Sequence, residues 1–239
     1  MTKKRHRARP RRLPITIAPR DGWGIALEVG GVVQSVSVPS RDGSEHERAD
    51  TLARDGPQPA PGGGYWGLML PDGCPRRALI LGLGAGTVAH LLARRYPGVR
   101  ITGVERDAEV LAVARAEFGL DAIPHLEVIE ADAFAWVAGA SATSPGVYDL
   151  VCLDLFEAGR LALGTLATPF LRQIAALLAP GGTLTVNLMV TARTPDQLHR
   201  LQRVFAITRE LRLRGNLVVH ARPLDAGESA LLQQERASG

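Results

Sequence analysis

Residues 79–87 read Leu-Ile-Leu-Gly-Leu-Gly-Ala-Gly-Thr. An apolar run of strand length enters three alternate glycines, Gly82, Gly84 and Gly86, and a segment of helical period follows. Glycines here let the backbone approach a ligand closely, and the start of the next helix offers unpaired N–H groups and a partial positive charge. A nucleotide-like ligand is implied. The dinucleotide fingerprint needs its third glycine three positions after the second. Here position 87 is Thr, which argues against NAD or FAD.

Outward from this loop, strand-length apolar runs alternate with helical segments. Strands are expected at 78–83, 100–105, 126–131, 148–154 and 183–189, and helices at 87–95, 108–118, 133–137 and 169–178. Such alternation means a parallel sheet with helices on both faces. Pro97-Gly98 stops the first helix, Asp107 caps the second, Gly119 closes it, and Pro180-Gly181-Gly182 turns helix into strand. A helix at 195–205 leads to strands 207–213 and 217–221, which form a hairpin about Gly215-Asn216. The fold expected is α/β: a mostly parallel seven-stranded sheet with a C-terminal antiparallel hairpin, preceded by a small β-unit. That unit comprises strands 14–18, 25–29 and 32–38, the last two joined by the hairpin signal Gly30-Gly31. Gln34 shares a parity with Val32, Val36 and Val38, so it points with the apolar face. It is equally readable as a half-buried amide bonded to the next strand and as an amide directed at a ligand.

The domain plan is a basic disordered tail at 1–13, the β-hairpin unit at 14–54, a Pro/Gly-rich linker at 55–75 and the nucleotide-binding domain at 76–239. With 239 residues, 46% hydrophobic and 22% charged, the chain fits one ordinary globular unit and excludes collagen, coiled coil and wholesale disorder. No run approaches the roughly 18 apolar residues of a bilayer span, so no membrane partner is expected. The net charge of +4 includes seven Lys/Arg and no acid in residues 1–12, which leaves the other 227 residues at −3. The tail reads either as a weak, salt-sensitive polyanion contact or, more simply, as a solubilising extension. Two cysteines, Cys74 and Cys152, are too few for a disulfide framework, which points to a reducing, cytoplasmic setting. Cys152, inside an apolar strand, reads as a small buried hydrophobe. The six histidines lack ligand spacing, so no metal is expected. No Gly-x-Ser-x-Gly elbow or Walker loop occurs, and 5% aromatic content is poor material for a nucleic-acid platform.

The acids at the strand ends give the glycine loop its weight. Glu105 ends the second strand, Asp132-Ala133 follow the third, and Asp154 ends the fourth. Ligands of open α/β sheets bind beyond the carboxyl ends of the strands near the switch point, so these residues and the loop should line one crevice. Glu105 can accept both ribose hydroxyls, and Asp132 can accept from an exocyclic amine.

In this order the residues resemble the class I S-adenosylmethionine-dependent transferases, over residues 76–221, with their Rossmann-like methyltransferase fold. Within that superfamily the chain is most similar to the spermidine synthase-like group, the aminopropyltransferases. Gly31-Val32-Val33-Gln34 resembles that group's Gly-Val-Ile-Gln strand, Tyr65 stands in its Tyr-His-Glu position, and Asp154-Leu-Phe-Glu157 stands where Asp-Ser-x-Asp-Pro is usual. The resemblance implies a sulfonium donor, S-adenosylmethionine or its decarboxylated form, held by Gln34, Gly82, Gly84, Gly86, Glu105, Asp132 and Ala133. It also implies a small amine acceptor facing Asp154, Glu157 and Tyr65, a place in polyamine chemistry and a homodimer. An amine is protonated near neutral pH and attacks carbon only after losing a proton, for which Asp154 is the candidate base. Glu157 can hold a second cationic nitrogen; Asp-x-x-Glu is equally readable as a capping box opening a helix.

Two departures bear on chemistry. The group's usual Asp within the glycine loop is Ala85 here, and Tyr-His-Glu becomes Tyr65-Trp66-Gly67. The pocket is correspondingly less anionic, and ordinary S-adenosylmethionine, whose carboxylate would meet no acid at position 85, is also acceptable. The alternatives are therefore a methyltransferase acting on a small molecule or nucleic acid, and a catalytically silent nucleotide-binding relative.

Overall fold

The structure, a computed structural model, describes residues 13–20, 24–37, 64–225 and 227–228. The expectations for residues 1–12, for 38–63 and for 229–239 lie outside the described residues.

Strands β1 (Ile15–Arg20), β2 (Gly24–Val29) and β3 (Val32–Val36) form an antiparallel meander, with a two-residue turn at Gly30-Gly31. After a 3-10 turn at Tyr65–Met69 come β4 (Arg77–Leu81), α1 (Thr87–Arg95), β5 (Arg100–Glu105), α2 (Ala108–Glu117), β6 (Leu126–Glu130), α3 (Ala133–Thr143) and β7 (Tyr148–Leu153). A short hairpin, β8 (Phe156–Glu157) and β9 (Arg160–Leu161), precedes α4 (Thr168–Leu177), β10 (Leu178–Met189), α5 (Thr194–Leu201), β11 (Phe205–Leu213) and β12 (Asn216–Pro223).

The seven-stranded sheet has the order β11-β12-β10-β7-β4-β5-β6. Five strands are parallel, and β12 runs antiparallel to both β10 and β11. The chain winds from β4 outward through β5 to β6, then returns to β7 on the other side of β4. The switch point therefore falls between β4 and β7, and a crevice opens past their carboxyl ends. Both sheet faces are buried, as parallel strands require. Ala78, Ile80, Leu150 and Cys152 pack on the face covered by α1, α2 and the Tyr65–Met69 turn. Their neighbours Leu79, Leu81, Val151 and Leu153 pack on the opposite face with α3, α4 and α5. Cys152 is fully buried, and burial pushes its thiol up.

Local differences from expectation have physical causes. Helix α3 runs to Thr143 rather than 137 because Ala138, Ala140 and Ala142 are strong helix formers that outweigh Gly139. Helix α5 ends at Leu201 because Phe205 is drawn into the sheet opposite Pro223 and fully buried. Pro180-Gly181-Gly182 forms a bulge within β10, where the register against β7 shifts. Residues 66–70, within the stretch read as linker, are buried in the core. Composition gives linker character to 55–63, whereas Trp66, Leu68 and Met69 supply the apolar surface that docks this turn.

Candidate active site

A cavity of about 650 Å³ opens at the carboxyl ends of β4, β5 and β7. Gln34, Gly82, Gly84, Glu105, Asp132, Ala133, Asp154 and Glu157 all line it. Gly86 and Tyr65 are not on its wall. Gly86 caps α1 and abuts Leu120, while Tyr65 reaches the site through Asp154.

The half of the cavity built by the glycine loop is tied together through the backbone. Any side chain at Gly82 would strike the carbonyl of Asp154, and a Cβ at Gly84 would lie 2.6 Å from Ser35 Oγ. Both positions also have positive φ, 89° and 55°, so only glycine fits them without strain. The loop's own N–H groups, those before the helix start at Thr87, are engaged within the protein. Gly82 and Leu83 donate to the Val104 carbonyl, Gly84 to Glu105 Oε2, Ala85 to Ser35 Oγ and Gly86 to the Leu83 carbonyl. None of residues 82–86 keeps an unpaired N–H for a ligand, so this loop provides close approach without a phosphate cradle.

Glu105 at the end of β5 accepts from Gly84 N at 3.0 Å, Arg106 N at 2.9 Å and Asp107 N at 3.0 Å. The sequence reading gave it to two ribose hydroxyls. Three of a carboxylate's roughly four acceptor positions are instead engaged by backbone, which fixes the carboxylate but leaves less of it for a ligand. Asp132 is the N-cap of α3, its Oδ1 accepting from Ala135 N at 2.9 Å. Asp132 also lines the cavity wall. Asp107 caps α2 as expected.

Strand β3 is stapled to this loop. Besides the Ser35–Ala85 bond at 2.8 Å, Thr87 Oγ1 donates to the Val36 carbonyl and accepts from Val36 N. These bonds are buried, and they bring Gln34 to the cavity wall, where it is half-buried.

The other half of the cavity rests on Asp154. Its Oδ2 accepts from the Tyr65 hydroxyl at 2.8 Å and its Oδ1 from Asn187 Nδ2 at 2.9 Å. Asn187 Oδ1 accepts in turn from Asn216 Nδ2 at 2.9 Å, which fixes the amide so that its NH2 faces Asp154. Burial pushes the Asp154 carboxyl from 3.8 up to about 6, against the lowering effect of the two hydrogen bonds. Burial, then the Asp154 charge, hold the Tyr65 phenol well above its ordinary value. Tyr65 is therefore a donor to Asp154 throughout the neutral range, and its ring stacks on Trp66 with centroids 4.7 Å apart.

Glu157 lies at the cavity mouth on the β8–β9 hairpin, paired with Arg106. The segment after Asp154 thus forms a hairpin where Asp-x-x-Glu allowed a helix opening. Gly159 has positive φ and the chain reverses there, so no helix can start.

Sequence reasoning missed Asn187, Asn216, Ser35 and Arg106. Asn187 carried a signal, being an amide amid the apolar run of β10 and 1% exposed. Arg106 carried none, because its partner is remote in sequence. Among the described residues no helix is long and apolar enough to cross a membrane, and no group of three or more His, Cys, Asp or Glu could hold a metal.

Sheet order, terminal hairpin and a crevice built from a glycine loop with strand-end acids define a Rossmann-like class I methyltransferase fold. Residues 78–182 match the Methyltransferase domain family. The chain is 34% identical over 111 residues to a probable polyamine aminopropyl transferase of Bifidobacterium longum, covering 46% of this chain and 24% of that protein. It is 31% identical over 137 residues to trans-aconitate 2-methyltransferase of Paracidovorax citrulli, covering 57% of this chain and 47% of that one. The chain thus matches less than half the length of either relative. The crystal structure of a probable spermidine synthase from Corynebacterium glutamicum superposes with a TM-score of 0.61 at 20% identity, over 87% of this chain and 76% of that one. In its fold this chain is similar to the class I S-adenosylmethionine-dependent methyltransferases, and in its matched segment it resembles the aminopropyltransferases among them.

Proposed function

We propose that the chain is a transferase moving an alkyl group from S-adenosylmethionine or its decarboxylated form to the nitrogen of a small amine. The observation that carries this reading is Asp154, a carboxylate at the cavity wall with its charge raised in cost by burial and its orientation held by Tyr65 and Asn187. A carboxyl at about 6 is a stronger base than an ordinary one yet remains ionised at neutral pH, which suits removal of an ammonium proton. The donor supplies a carbon activated by positively charged sulfur. Two further features support such a donor. Among the described residues the cavity wall carries six acids, Glu105, Asp107, Glu109, Asp132, Asp154 and Glu157, against one cation, Arg106. A sulfonium is favoured there and a polyphosphate repelled. The engaged N–H groups of the glycine loop likewise suit a nucleoside without phosphates.

Methyl transfer is a second reading, favoured by Ala85. This residue is buried, its N–H is committed to Ser35, and it offers no acid to a decarboxylated donor's free ammonium. The named activity of the trans-aconitate methyltransferase relative supports the same reading. A homodimer, and a weak polyanion contact through the basic residues 1–12, belong to the proposal on sequence grounds. Calorimetric titration with S-adenosylmethionine, its decarboxylated form, methylthioadenosine and ATP tests it. Tight binding of a sulfonium nucleoside with none of ATP is expected. Binding of the decarboxylated donor alone selects aminopropyl transfer, binding of S-adenosylmethionine alone selects methyl transfer, and binding of no sulfonium sinks both.

A further inference from the structure

The mouth of the cavity is bridged by one ion pair. Arg106 belongs to the loop that follows Glu105, on the side of the glycine loop, and Glu157 belongs to the β8–β9 hairpin, on the side of Asp154. Their side chains are 54% and 49% exposed, so the pair sits at the rim in contact with solvent. Arg106 is the one cation among the described residues that line the cavity, and Glu157 is the lining acid three residues from Asp154. The Asp154 oxygens face their own neutral partners, Tyr65 and Asn187. The two carboxylates of the acceptor half therefore differ: Asp154 carries an uncompensated charge, and Glu157 is neutralised from within the chain.

We infer that Arg106 fills the position of a second positive charge at Glu157, so that the acceptor carries a single amine and no second cation. This specificity role deepens the amine-transfer reading and rests on it. An acceptor amine entering toward Asp154 meets an unpaired negative charge. A second ammonium at its far end meets a guanidinium already seated on Glu157, and the two like charges repel at short range. An apolar or a carboxylate far end meets no such penalty, and a carboxylate can share the guanidinium fork. A solvent-exposed ion pair is weak on its own. Its effect is one of selection among acceptors and not of stability.

The test is calorimetric binding of butylamine, 1,4-diaminobutane and 4-aminobutanoate to full-length protein saturated with methylthioadenosine, in wild type, Arg106→Gln and Arg106→Gln/Glu157→Gln. Wild type should bind butylamine at least as tightly as the diamine. Arg106→Gln should tighten the diamine about tenfold while leaving butylamine within about twofold, and the double variant should return the diamine to its wild-type affinity, because the freed carboxylate is gone. Tighter binding of 4-aminobutanoate than of butylamine to wild type, lost in Arg106→Gln, supports the inference with a carboxylate at the acceptor's far end. Equal binding of the two supports it with an apolar far end. Diamine preferred tenfold or more by wild type, with the preference unchanged in Arg106→Gln, overturns the inference and leaves the amine reading standing. Binding of none of the three to wild type overturns both.

Discussion

The two halves of the cavity are built by different means. On the donor side, carboxylates serve the backbone: Glu105 holds three N–H groups of its own and the glycine loop, and Asp107 and Asp132 cap the helices that follow them. Their partners lie on the same strand-loop-helix units or on adjacent parallel strands. On the acceptor side, side chains hold side chains. Tyr65, Asp154, Asn187 and Asn216 come from the 3-10 turn, the residue just after β7, β10 and β12, and are joined only in the folded state. The difference separates shape from chemistry. Backbone-tied acids make a rigid, water-tolerant seat, whereas a carboxylate caught among distant side chains is buried enough to change its proton affinity.

The comparison breaks most sharply at Asp154. Asp154→Asn keeps the shape and removes the basic site, so turnover of a competent amine should fall by about 100- to 10,000-fold, with donor affinity in calorimetry nearly unchanged. A collapse of donor affinity would erase the division between the halves. The same residue carries a pH signature. Its carboxyl rises from 3.8 to about 6 on folding, so the folded state takes up the proton more readily than the unfolded one. Its contribution is most favourable below pH 4 and is lost as pH climbs through 6, by up to about 3 kcal/mol. In urea melts the stability of wild type relative to Asp154→Asn should therefore decline between pH 4 and pH 7. A flat difference would mean that Asp154 is solvated.

On the donor side, Glu105→Ala should weaken donor binding by about 1.5–3 kcal/mol, the range for hydrogen bonds to a charged group, and should leave the pH dependence of stability around pH 6 in place. Ser35→Ala removes the buried acceptor of Ala85 N–H and should cost about 1–2 kcal/mol of stability in thermal melts, with donor affinity falling because the loop is released from β3. The smallest effect is expected for deletion of residues 1–12, which should leave turnover of a small acceptor unchanged. A large loss that added salt reproduces in the full-length protein would mean instead that the acceptor is a polyanion.

The seat was legible because it is periodic and local. Residues 79–87, the alternation of strands with helices, and the acids Glu105, Asp132 and Asp154 at strand ends all follow from hydrophobic period and chain order, and the seven-stranded sheet with its terminal hairpin followed from them. Element ends were less legible, as at α3, α5 and β10, since pairing partners decide where a strand outcompetes a helix. The sequence by itself thus determined the architecture, the crevice and the strand-end acids that line it. Only the tertiary structure decided what each acid does there. Tyr65 meets Asp154 across 89 residues, Asn187 meets it across 33, and Arg106 closes on Glu157 from another strand's loop. Such pairs have no sequence period, and burial, which sets the proton affinity of Asp154, is a property of everything packed around a group and not of the group's neighbours along the chain.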